Sequence, residues 1–152
     1  IARGPNCCAV QQELSVVTGR DEVLKICEEN NLASINRSPL AMGILSGKYT
    51  RSTSFPDGDV RSAFMNLASG VFAERMELAN SIRDVLTANG RTPAQGSLAW
   101  LLAKSTRTIP IPGFRNSRQV EENSAVLASG PLSDTEMGQI DKLLAKYKAK
   151  DR

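Results

Sequence analysis

The sequence predicts an α/β fold of parallel βα units, on three observations. Strand-like segments alternate with amphipathic helical ones along the whole chain. Helix-start signals stand between them at Asp21, Thr92-Pro93 and Ser133-Asp134-Thr135-Glu136. The composition, 41% apolar and 23% charged over 152 residues, is that of an ordinary globular domain with a sizeable core. No internal repeat or low-complexity tract interrupts the pattern.

Taken in order, Ala9 to Val16 alternates and reads as a first, weakly apolar strand. Asp21 opens a helix to about Asn30, with Val23, Leu24 and Cys27 on one face. Leu32 to Arg37 is a second strand, stopped at Ser38-Pro39 because a residue before proline disfavours helix. From Ala41 to Asp59 the chain is rich in Gly, Ser, Thr and Pro, a long loop of the kind that is functional or mobile. Phe72, Met76, Ala79, Ile82 and Leu86 form a helical stripe that ends at Asn89-Gly90. Thr92 caps the next helix with proline at its first position, and Leu98, Leu101 and Leu102 turn toward the core. Arg107 to Ile111 is the third strand. A helix from Ser117 to Leu127 follows, then the last helix behind the Ser133–Glu136 capping box.

Composition excludes several functions. A net charge of +3 is too mild for a nucleic-acid surface. Much of the excess, Lys142, Lys146, Lys148, Lys150 and Arg152, falls on a C-terminal helix whose dipole it complements. No apolar run reaches the ~18 residues of a membrane span. Cys7, Cys8 and Cys27 make no zinc pattern and there is no histidine, so reduced thiols in a cytoplasmic protein are expected. The start at Ile1-Ala2-Arg3 shows no signal peptide and fits a truncation better than secretion.

The most informative segment is Thr108-Ile109-Pro110-Ile111-Pro112-Gly113-Phe114-Arg115-Asn116-Ser117-Arg118-Gln119-Val120-Glu121-Glu122-Asn123. It reads as a strand, a Pro-Gly turn carrying arginine, and a helix start with Ser117 as N-cap. Unpaired amides and the helix dipole favour an anion there, and Arg115 and Arg118 add full charge. An ordinary βα connection with solvated arginines is the structural alternative.

This segment resembles the cofactor loop of the aldo-keto reductases, which reduce carbonyls with NADPH inside a (β/α)8 barrel. Asn36-Arg37-Ser38-Pro39-Leu40-Ala41-Met42-Gly43-Ile44-Leu45-Ser46-Gly47-Lys48-Tyr49 is similar to the family's seventh strand end and its loop. Weaker matches are Gly4-Pro5-Asn6 with Ala9 to Leu14, Leu98 to Leu102, and Pro131-Leu132-Ser133. They follow family order from near residue 4 to about residue 144.

The resemblance implies the C-terminal half of a TIM barrel, incomplete, since a whole barrel takes about 250 residues. It implies one partial-barrel domain over residues 1–152, carrying the NADP phosphate loops without the N-terminal catalytic half. The family's catalytic Asp, Tyr, Lys and His lie on earlier strands, so no catalytic residue is assigned. The implied cofactor is NADPH, with a small carbonyl substrate for the parent enzyme. By the same resemblance, Ser38, Leu40 and Met42 line a pyrophosphate path, and Gly43 to Lys48 fold over the cofactor. Gly113, Phe114, Arg115 and Asn116 form the turn for the adenosine 2′-phosphate, and a planar guanidinium suits it. Gln119, Glu122 and Asn123 contact phosphate and adenine, and positions 119 and 123 share a helix face. Gln11 contacts the nicotinamide amide, and Arg37 stands where many members stack a tyrosine. The alternative reading is a non-catalytic nucleotide-binding module or auxiliary subunit that self-associates through exposed sheet edges.

Overall fold

A computed structural model describes residues 6–150, with side chains through Lys146. Gly4-Pro5, the Ile1–Arg3 start and Arg152 lie outside the described residues, as do the side chains of Lys148 and Lys150. Among the described residues, four strands form one sheet in the order β2-β1-β3-β4. They are β1 (Ala9–Ser15), β2 (Thr18–Gly19), β3 (Ala33–Arg37) and β4 (Thr108–Pro110).

β1, β3 and β4 run parallel, with Gln11, Ile35 and Ile109 in register across the sheet. Helices make the crossovers: α1 (Asp21–Glu29) links β1 to β3. Between β3 and β4 lie α2 (Gly70–Ser81), α3 (Arg83–Leu86) and α4 (Pro93–Lys104). α5 (Ser117–Ser124), α6 (Val126–Ser129) and α7 (Asp134–Lys150) complete the chain.

β2 was not foreseen. It pairs antiparallel with the end of β1, Leu14 opposite Gly19 and Ser15 opposite Thr18. The turn is tight because Gly19 takes a φ of 104°, and a side chain there would meet the Glu13 carbonyl and Leu14. The sheet is therefore mixed rather than purely parallel.

Alternation divides the sheet into two faces of opposite character. Toward the helices, Ser34, Asn36 and Thr108 are buried. Their polarity is met in part: Ser34 Oγ accepts from Gln12 Nε2 at 2.8 Å and from Asn36 Nδ2 at 2.9 Å, while the buried Asn36 Oδ1 finds no partner among the described residues. Thr108 Oγ1 donates to the Leu101 carbonyl at 2.8 Å. Cys27 is fully buried beside this cluster, and burial pushes its thiol pKa up. The other face carries Gln11, Glu13, Ile35, Arg37 and Ile109, and no described element covers it. Ile109 and Ile111 stand 48% and 45% exposed.

The core lies between sheet and helices, where α4 is its central rod. Gly96, Ser97, Leu98, Ala99, Trp100 and Leu101 of that helix are all buried, whereas Leu102 is half-buried. Gly96 lets α4 lie against the end of α3, since an added Cβ would sit 2.1 Å from the Leu86 carbonyl oxygen. Thr92 and Gln95 close a reciprocal capping box at 3.2 and 3.0 Å. The box at α7 also forms, with Ser133 and Glu136 exchanging bonds, and Glu136 pairs with Arg91 in a nearly buried ion pair.

The expected long helix over the Phe72–Leu86 stripe bends instead of running straight. α2 ends at Ser81, whose hydroxyl donates back to the Leu78 carbonyl, a bond that competes with the helix ladder. The ladder resumes through Leu86 N to the Ile82 carbonyl, so Met76, Ile82 and Leu86 all stay in the core. The helix expected from Ser117 to Leu127 is likewise divided after Ser124.

Candidate functional site

Two loops at the C-terminal ends of neighbouring strands, one after β3 and one after β4, enclose a cleft of about 720 Å³. From the expected set it is lined by Ser38, Leu40, Met42, Gly43, Lys48, Gly113, Phe114, Arg115, Gln119, Glu122 and Asn123. Segments 70 residues apart in sequence thus converge because their strands are neighbours in the sheet. Gln11, Arg37 and Asn116 are not among the lining residues. Gln11 and Arg37 lie on the uncovered sheet face, where Arg37 pairs with Glu13 at 2.9 Å.

The wall after β4 is a capped helix start. The cap is Asn116 and not Ser117: Asn116 Oδ1 accepts from the Gln119 amide at 3.0 Å, and Ser117 is the first helical residue. Asparagine one place earlier reaches the same orphan amide that Ser117 was expected to serve. Gln119 Oε1 accepts from the Arg115 amide at 2.7 Å, which fixes the turn between Gly113 and Asn116. The Glu122 carbonyl accepts from Gln95 Nε2, tying α5 to α4. Phe114 and the Arg115 side chain project into solvent at the cleft, 64% and 72% exposed.

The opposite wall belongs to the segment expected as one long loop. It opens with a 3-10 turn, Ala41–Ser46, in a strained backbone: Ser38, Ala41 and Met42 all have φ between 46° and 55°. Such strain clusters where a chain positions a ligand. Gly43 follows at φ 98°, and a Cβ there would lie 2.8 Å from the Tyr49 ring.

A second turn, Val60–Ala63, is capped by Asp59, whose Oδ1 accepts from the Arg61 amide at 3.0 Å. Arg61 fastens this wall. It donates to Asp59 through Nε at 2.8 Å and Nη2 at 2.6 Å, to the Tyr49 hydroxyl, and to the Met42 carbonyl at 3.4 Å. Its guanidinium carbon lies 4.4 Å from the centre of the Phe55 ring. Tyr49 and Phe55 meet edge to face at 5.4 Å.

Asp59 also reaches across the cleft, where its Oδ2 accepts from Arg115 Nη2 at 3.2 Å. Hydrogen bonds from Arg61 above all, and then from Arg115, hold its carboxyl well below the usual range against the opposing effect of burial. The same partner drives the Arg61 pKa upward.

Tyr49, Phe55, Pro56, Asp59 and Arg61 line the cleft without having been foreseen. The signal available was slight: an Asp and an Arg two residues apart beyond a Pro56-Asp57-Gly58 turn. Among the described residues no group of His, Cys, Asp and Glu side chains could hold a metal, and all three cysteines are free. No helix among them is long and apolar enough to cross a membrane.

Fold and site together define a class: parallel βα units whose ligand cleft opens at the strand tips, as in an incomplete (β/α)8-type barrel. The family model for the aldo/keto reductase family matches residues 2–145, and this chain belongs to that family. It is 39% identical over 118 residues to aldo-keto reductase yakc, NADP(+), of Schizosaccharomyces pombe, covering 78% of this chain and 34% of that one. It is 32% identical to the chloroplastic pyridoxal reductase of Arabidopsis thaliana, covering 98% of this chain and 38% of that one.

Among solved structures, the glycerol dehydrogenase of Gluconobacter oxydans superposes with a TM-score of 0.78 at 23% identity, over 91% of this chain and 42% of that one. An aldo-keto reductase from Klebsiella pneumoniae in complex with NADPH gives a TM-score of 0.60 at 22% identity, over 90% and 39%. The chain spans little more than a third of the length of the curated relatives it matches.

Proposed function

We propose that this chain is the cofactor-binding portion of an NADPH-dependent aldo-keto reductase and corresponds to the C-terminal half of the family's barrel. The observation that carries the reading is the convergence of two strand-tip loops on one cleft with Arg115 at a capped helix start. The donor set suits a dinucleotide phosphate. Arg115 offers a guanidinium with two parallel donors, Lys48 lines the same cleft, and the α5 dipole favours an anion at Gly113–Asn116.

In this reading Arg115 grips the 2′-phosphate and Gly113 leaves room for the approach, while Gln119, Glu122 and Asn123 bound the adenosine. Ser38, Leu40 and Met42 present the strand tip to the pyrophosphate, and residues 43–48 with Tyr49 and Phe55 shield it from water. Arg37 directly precedes Ser38, and Gln11 and Arg37 on the uncovered face would hold the nicotinamide end. In the parent enzyme, bound NADPH would supply a hydride to an aldehyde or ketone. This chain's own residues bind and orient the carrier.

The test is titration calorimetry with 2′,5′-ADP and 5′-AMP, which differ by the 2′-phosphate. Arg115→Ala should cost the first about 1.5–3 kcal/mol, the range of a hydrogen bond to a charged group, and should barely change the second. Equal losses for both would remove Arg115 from that role. The 152-residue chain by itself is expected to oxidise no NADPH with a reactive aldehyde, and robust turnover would contradict the division of labour.

A second reading, a self-associating auxiliary nucleotide module, is favoured by the uncovered sheet face with Ile109 and Ile111 exposed. A mass in analytical ultracentrifugation that rises with concentration supports it, and a concentration-independent monomer counts against it.

A further inference from the structure

We propose that Asp59 is a specificity-determining residue of the cleft: its fixed carboxylate, facing Arg115, weakens the preference for a 2′-phosphate over a 2′-hydroxyl on the bound adenosine. The inference rests on the cofactor reading above. It concerns a residue of the wall opposite to the phosphate turn.

The two cations that share Asp59 hold it very differently. Arg61 bonds it three times, at 2.6, 2.8 and 3.0 Å, and is itself held by Tyr49, Met42 and the Phe55 ring. Arg115 bonds it once, at 3.2 Å. The exposures differ in the same sense: the Asp59 side chain is 9% exposed and that of Arg61 14%, against 72% for Arg115. Arg115 is therefore the partner that swings, and Asp59 the charge that stays.

A dianionic phosphate arriving at Arg115 has to compete with this carboxylate for the guanidinium. Once bound it stands near a fixed negative charge. An ionised carboxylate only accepts hydrogen bonds, so it offers a phosphate nothing in return. A ribose hydroxyl is different, because it can donate to a carboxylate. Asp59 thus penalises the phosphorylated ligand and tolerates, or assists, the hydroxylated one. Arg61 neutralises part of the charge and the Arg115 contact is open to solvent, so the penalty is a factor of about two to five.

The experiment measures 2′,5′-ADP and 5′-AMP affinities by calorimetry for the wild-type chain, Asp59→Asn, and the double variant with Arg115→Ala. Asparagine keeps an acceptor for the Arg61 amide, and Asp59→Ser serves if Asp59→Asn does not fold. The expected result is 2′,5′-ADP binding tightened about two- to five-fold, with 5′-AMP unchanged or weakened. The change in ratio should vanish when Arg115 is alanine.

Parallel changes for both ligands, a selective loss of 2′,5′-ADP, or a ratio change that persists without Arg115 would each overturn the assignment. Binding of neither ligand by the wild-type chain would instead overturn the cofactor reading, and this inference with it.

Discussion

The two walls of the cleft were built by different rules. The wall after β4 is local: a three-residue strand, a Pro-Gly turn and a capped helix lie within Thr108–Ser124, and each part is coded by its neighbours. The wall after β3 is tertiary. Arg61 reaches back 19 residues to Met42 and 12 to Tyr49, and Asp59 reaches across 56 residues to Arg115. Local walls hold their shape through caps and turns. Tertiary walls hold theirs through one or two side chains, so they fail when a single residue is changed.

Gly43→Ala should break the second wall most severely. The new Cβ meets the Tyr49 ring in a left-handed backbone, and a loss of about 1–3 kcal/mol is expected in chemical denaturation. The first wall should remain: the α5 amides should keep their hydrogen-exchange protection. Loss of α5 protection in that variant would mean that the walls are not independent.

Asn116→Ala reverses the comparison. It removes the cap from the Gln119 amide and should cost about 1 kcal/mol, with faster exchange at Gln119 and an unperturbed Tyr49–Phe55 pair. Tyr49→Phe is milder still. It deletes one acceptor of Arg61 while Asp59 and the Met42 carbonyl remain, so about 0.5–1.5 kcal/mol is expected.

Acid should loosen the second wall through Asp59. Its carboxyl is held below its usual pKa, so the stabilisation is fully present above the unfolded value near 3.8. It is lost only as pH falls through the lower folded value. The tyrosine fluorescence of the cleft, followed from pH 7 downward, should therefore stay constant until strongly acid pH. A transition near neutrality would contradict this.

The same contrast explains what could be read in the amino-acid order. β1, α1 and β3 stand within a residue or two of their expected bounds and α4 begins where expected, because alternation, Asp21, Pro39 and Thr92-Pro93 are local signals. Eleven expected residues line the cleft for a related reason: they sit on two motifs that adjacent strands deliver to one edge. The shift of the cap from Ser117 to Asn116 is the ordinary uncertainty between neighbouring capping residues.

Asp59, Arg61, Tyr49 and Phe55 were not legible. An ion pair that closes a loop has no periodicity, and the left-handed backbone at Ala41 and Met42 runs against what those residues favour in isolation. The β2 hairpin and the bend at Ile82 rest on single residues, the positive φ of Gly19 and the Ser81 hydroxyl bonded to the Leu78 carbonyl, which no periodicity announces.

The central claim is that an adenosine 2′-phosphate is held at the turn between β4 and α5. Amide chemical shifts of the isotope-labelled chain, titrated with 2′,5′-ADP and separately with 5′-AMP, test it most directly. The account predicts that the shifts distinguishing the two ligands concentrate at Gly113–Gln119. Identical shift patterns for both ligands, or differences confined to the uncovered face around Ile109, would contradict it.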